Sequence, residues 1–110
     1  MTRLMLSPAA LGLLRALIVR AGVAREQVLL SDWRSTDWQS LTFVGERHEI
    51  RLRILGPGAA RAAERLLDGL ADAEFAIPGQ IVADIAVIGP PQARADGSSE
   101  LALEALTISE

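Results

Sequence analysis

Across residues 49–55 apolar and charged side chains alternate without a break: Ile50, Leu52 and Ile54 in one phase, Glu49, Arg51 and Arg53 in the other. A period of two with three charges on one side describes a strand of a sheet that is covered on one face only. Something must then lie across the covered face, and the chain supplies two helices for it. The feature therefore restricts the fold to two layers, helices on one side of a mostly antiparallel sheet.

The helices are marked by their ends. Ser7-Pro8 pairs a hydroxyl cap with proline at the first helical position, where its missing N–H costs nothing. Leu11, Leu14, Leu17, Ile18 and Ala21 follow at helical spacing, and Gly22 is placed to end the helix. Gly56-Pro57-Gly58 opens a second helix with Ala59, Ala63, Leu66, Leu67, Leu70 and Ala73 as its buried stripe. Its Arg61 and Arg65 precede Asp68 and Asp72, the reverse of what a helix dipole favours. A basic surface of Arg47, Arg51 and Arg53 meeting Asp68, Asp72 and Glu74, within one chain or across a dimer, would offset that reversal.

Further strands are expected at residues 28–34, at Leu41 and Phe43, at 81–88 and at 101–108. Gly45-Glu46-Arg47-His48 reads as a hairpin turn. Ile81 to Ile88 is apolar in both phases except for Asp84, which suits a central strand. Leu101 and Leu103 share one phase, Leu106 and Ile108 the other, and a bulge near Glu104-Ala105 would reconcile them. Residues 89–99 read as a polar loop. The expectation is a single α+β domain over residues 1–110: a two-layer sandwich of five mostly antiparallel strands with two helices on one face, in the order αβββαββ.

Composition limits the chemistry. The 110 residues contain no Cys and one His, which excludes a disulfide scaffold, a thiolate metal site and a cysteine nucleophile, and no metal or other cofactor is expected. Lys, Asn and Tyr are also absent while Arg occurs eleven times, a bias that points to a high-GC bacterial genome more than to phosphate recognition. With glycine included, about 58% of the chain is apolar, more than the 45–50% usual for a small domain. Self-association, as a dimer, is the simplest outlet. Residues 1–65 carry a net charge of +4 and residues 66–110 a net −7, which bears on association and not on fold. The net charge of −3 argues against nucleic-acid binding. The uncharged run near the start is broken by Pro8 and too short to span a bilayer, so a cytoplasmic protein without a membrane role is expected.

Two near-copies of one phrase, Ser31-Asp32-Trp33-Arg34-Ser35 and Thr36-Asp37-Trp38-Gln39-Ser40, hold both tryptophans. Indoles interleaved with short polar groups can line a ligand site, and Asp32, Trp33, Asp37, Trp38 and His48 are the candidate ligand-binding residues. The same pattern also suits core, turn or interface. The five-residue offset puts the two indoles on opposite faces of a continuous strand, and only a turn near Ser35-Thr36 would bring them together. Asp32 or Asp37 with His48 and a nearby serine has the residue types of a hydrolytic triad, but without a nucleophile elbow or diagnostic spacing. Gly56, Gly58 and Arg61 form a candidate anion site at a helix start. They lack the Lys-Ser/Thr pair of a P-loop, so the alternative is an ordinary strand-to-helix turn.

The stretch Asp37-Trp38-Gln39-Ser40-Leu41-Thr42-Phe43-Val44-Gly45-Glu46-Arg47-His48, together with Ile77-Pro78-Gly79-Gln80-Ile81-Val82-Ala83-Asp84-Ile85, resembles a small uncharacterised family of conserved bacterial proteins. No activity is attached to that family, so the resemblance implies no functional residue. The reading that follows is a binding or protein-interaction domain that self-associates, with no catalytic residue assigned. A protein that binds a small molecule or an anion is the alternative, and a small enzyme built on Asp32, Asp37 and His48 comes behind both.

Overall fold

The computed structural model describes residues 5–110. The first helix, α1 (Pro8–Ala21), starts and stops on the expected residues: the Ser7 hydroxyl accepts the Ala10 N–H at 3.1 Å, and Gly22 ends the helix in the left-handed region at φ 72°. The second helix, α2 (Ala59–Leu67), is shorter than its apolar stripe suggests. Asp68 turns extended and Gly69 takes φ 64°, so Leu70 enters the core from a separate single-turn helix, Leu70–Asp72.

The early stop bears on the reversed charges. Arg65 now lies in the last turn of α2, where a cation is favourable, while Asp68 is only its C-cap and Asp72 lies beyond the helix, so the reversal is eased and not removed. The two helices cap each other's carboxyl ends. Arg65 Nε donates to the Ala21 carbonyl at 3.0 Å, Arg20 Nε donates to the Leu66 carbonyl at 2.8 Å, and Arg20 Nη2 donates to the Asp68 carbonyl. Carbonyls that neither helix can satisfy internally are thus satisfied by its neighbour.

Five antiparallel strands form an open sheet: β1 (Val28–Gln39), β2 (Val44–Ile54), β3 (Gln80–Val87), the two-residue β4 (Gln92–Ala93) and β5 (Ser99–Ser109). Their order is β1-β2-β5-β3, with β4 pairing β5 beyond the end of β3. The domain is α+β as expected, but two strands precede α2 and three follow it. Leu41 and Phe43 form no strand of their own. They belong to the β1–β2 hairpin turn, closed by Ser40 N–H to the Phe43 carbonyl at 2.8 Å and Phe43 N–H to Ser40 Oγ at 3.1 Å.

The turn expected at Gly45–His48 is strand instead. Gly45 lacks a side chain because β2 and β5 approach closely there: an added Cβ would collide with the Thr107 carbonyl oxygen. Strand β3 is an edge and not a centre, and Asp84 is exposed on it. No bulge occurs in β5. The irregularities fall in β1 between Leu30 and Asp32, and in β3 between Val82 and Asp84.

On β2 and β5 the phases separate cleanly. His48, Ile50, Leu52 and Ile54 pair with Ala105, Leu103, Leu101 and Ser99 on the closed face, where α1 and α2 cover them. Arg47, Glu49, Arg51 and Arg53 with Leu106, Glu104, Ala102 and Glu100 lie on the open face, with no layer across them. The arginines Arg47, Arg51 and Arg53 therefore do not meet Asp68, Asp72 and Glu74 within the chain, because the sheet stands between them.

Candidate interaction surface

The repeated phrase lies on β1 as one uninterrupted extended run, with no turn near Ser35-Thr36. Past the bulge at Ser31, side chains alternate through Gln39: Trp33, Ser35 and Asp37 on the closed face, Asp32, Arg34, Thr36 and Trp38 on the open one. An odd offset of five then places the two indoles on opposite faces. The candidate ligand-binding residues are divided accordingly. Trp33, Asp37 and His48 share the closed face, while Asp32 and Trp38 share the open one.

His48 is fully buried, in contrast to the exposed turn expected for it. Its ring meets Trp33 edge-on, with centroids 5.8 Å apart and planes at 74°. Three polar side chains surround the imidazole. Ser35 Oγ lies 2.8 Å from Nδ1, Trp33 Nε1 lies 3.2 Å from Nδ1 and 3.1 Å from Ser35 Oγ, and Thr107 Oγ1 lies 2.9 Å from Nε2. The indole N–H can only donate and lies within reach of Nδ1, and the Thr107 hydroxyl can donate onward to the Glu46 carbonyl at 3.5 Å, which assigns the imidazole proton to Nε2, donated to Thr107. A second proton on Nδ1 would point at the indole N–H. Burial is the main influence holding the His48 pKa below its usual value, and the nearby Glu46 carboxylate opposes it.

Ser35 and His48 thus form a hydrogen-bonded pair, the start of a nucleophile and base. The rest of a hydrolytic site is not arranged around them. The second ring nitrogen faces a neutral hydroxyl in place of a carboxylate, and the Ser35 oxygen already accepts the indole N–H. The Glu46 side chain is held by the Ser7 hydroxyl at 2.7 Å. Neither Ser35 nor His48 lines the groove between α1 and residues 74–78 or the other four cavities described among these residues. The cluster satisfies the polar groups at one end of the core, and it lets a histidine stand where a sheet would otherwise need an apolar side chain.

The turn before α2 is built as a strand-to-helix connection. Gly58 caps the helix in the left-handed region at φ 82°, its carbonyl accepts the Ala62 N–H, and Arg61 points into solvent. No side chain caps the helix start.

Sequence reasoning missed the surface at the other end of the sheet. The register aligns Trp38, Gly45, Ile108 and Ile81 in one row across β1, β2, β5 and β3, all on the open face, with Leu106 in the next row. The hairpin turn beside this row carries Leu41, which is fully exposed, and Phe43 and Val44, each more than half exposed. The signal was present in the phase of Leu106 and Ile108: apolar residues out of phase with Leu101 and Leu103 lie on the uncovered face.

A groove of about 490 Å³ lies on the helical side between α1 and residues 74–78, where Gly12 lets Ile77 pack against the helix. Among the described residues, no helix is long and apolar enough to cross a membrane. No protein-family model matches the chain and no curated protein matches it, so its function is argued from its own residues.

Proposed function

We propose that the protein is a non-enzymatic interaction domain of the bacterial cytoplasm that self-associates, as a dimer. One observation carries this reading: exposed apolar side chains gather at one end of the molecule, where Leu41, Phe43 and Val44 adjoin the row of Trp38, Ile108 and Ile81. Contiguous exposed apolar surface rimmed by charge is characteristic of contact sites. The high apolar content of the sequence supports the same view, because the helices cover only one side of the sheet.

Sedimentation velocity over a low-to-high micromolar series tests it. A sedimentation coefficient that rises with concentration toward that of a dimer is the expected result. A coefficient that stays monomeric across the whole series would overturn self-association. Binding then remains to be sought with other proteins.

A further inference from the structure

Resting on that reading of self-association, we propose that the β1–β2 hairpin tip of one copy seats in the groove between α1 and residues 74–78 of a second copy, and reciprocally. Three observations meet in this arrangement.

The first is the chemistry of the turn. No residue of this two-residue hairpin turn has a positive φ, so it does not use the angles that call for Gly, Asn or Asp, and its backbone leaves the choice of side chain open. Here the turn residues are Leu41 and Thr42, and the Ser40 side chain does the closing. Leucine contributes nothing to a turn, and at full exposure Leu41 gains no stability from burial in its own chain. A large apolar side chain at the tip, neither required by the turn nor buried, is free to make a contact elsewhere.

The second is the shape and character of the groove. Ala16, Val19, Phe75, Ile77 and Pro78 line it, Val19 being 79% exposed. Its volume falls within the range of cavities that enclose compact apolar groups.

The third is charge. Asp37 and Glu46 face each other directly across β1 and β2 at the root of the tip, an unfavourable pairing of like charges. Glu74 also lines the groove, but Arg15 and Arg20 leave its lining net positive, and Arg15 forms no ion pair among the described residues. The other arginine there, Arg20, is committed to the carbonyls at the end of α2. Seating the apolar tip brings Arg15 of one copy to the acidic root of the other. Tip and groove occur on every chain, so a reciprocal exchange, each tip in the other copy's groove, closes into a two-fold dimer, whereas one-way seating would propagate into larger assemblies.

A charge swap tests the arrangement. Asp37→Arg and Arg15→Asp, each alone, should weaken dimerisation about tenfold or more, and the double variant should recover most of the loss. Leu41→Asp should abolish the dimer, and its melting temperature should match that of the wild-type monomer, since Leu41 touches nothing in its own chain. A wild-type protein that remains monomeric sinks self-association and this inference together. A wild-type dimer that persists unchanged in Leu41→Asp, or a double swap no tighter than the single variants, sinks the tip-in-groove contact and leaves self-association standing.

Discussion

The two faces of the sheet are written by the same strands one residue apart, and they follow different rules. On the closed face the buried imidazole of His48 is partnered by Ser35, Trp33 and Thr107. Apart from Ser99 at its end, the remaining buried positions there are apolar. On the open face charged residues lie in rows, with Arg34 3.6 Å from Glu49, while Trp38, Leu106, Ile108 and Ile81 have no layer above them. The closed face is constrained by the cost of an unpaired group in the core. Most of the open face is free of that constraint, the buried, unpaired Nε of Arg53 being the exception, so its exposed apolar residues speak of contact and not of folding.

The sharpest way to break this contrast is to truncate neighbours of opposite phase on β5. Leu103→Ala, in the core, should cost about 2–5 kcal/mol in urea unfolding. Leu106→Ala, on the open face, should cost less than about 1 kcal/mol. An equal cost at Leu106 would make the open face a second core.

Next in size is Thr107→Val, which keeps the volume but removes the acceptor for the His48 Nε2–H. It should cost about 1–3 kcal/mol, the penalty of a buried donor left unpaired. A neutral outcome would mean that the cluster is not sealed from water.

The pH dependence follows from His48. Its folded pKa is depressed, so the unfolded chain takes up the proton more readily. The contribution to stability is therefore complete above the unfolded value of about 6.5 and is lost as pH falls below it toward the folded pKa. Melting temperatures measured from neutral to mildly acidic pH should fall for the wild type, and His48→Gln should remove that part of the slope. The smallest expected effect is at the exposed pair: Arg34→Ala should change stability by less than about 1 kcal/mol, and less still in high salt.

Much of the fold was legible where local chemistry decides it. Ser7, Pro8 and Gly22 bounded α1 because capping involves only neighbours in sequence, and the alternation through residues 49–55 told which face is covered. Misreadings arose where a residue's reason lies across the sheet. Gly45 resembles a turn glycine, yet its role is the close approach of Thr107, sixty-two positions away. His48 looks exposed by its polar neighbours, but its partners come from the two strands on either side of its own. The phase of Leu106 and Ile108 suggests a bulge near Glu104-Ala105 in sequence, whereas it marks apolar residues on the uncovered face.

Of the candidate site, the opposed indoles followed from the odd offset. The groove could not be read in sequence, since it exists only once residues 74–78 lie along α1.

The placement of one indole on each side of the sheet makes the molecule a double optical instrument. Trp33 emits from within the core beside an imidazole, and Trp38 emits from the open face beside the hairpin tip. In Trp38→Phe the remaining fluorescence follows unfolding and the protonation of His48. In Trp33→Phe it follows whatever arrives at the surface. Two single-tryptophan variants thus separate the spectroscopy of folding from the spectroscopy of association, with no foreign label on the chain.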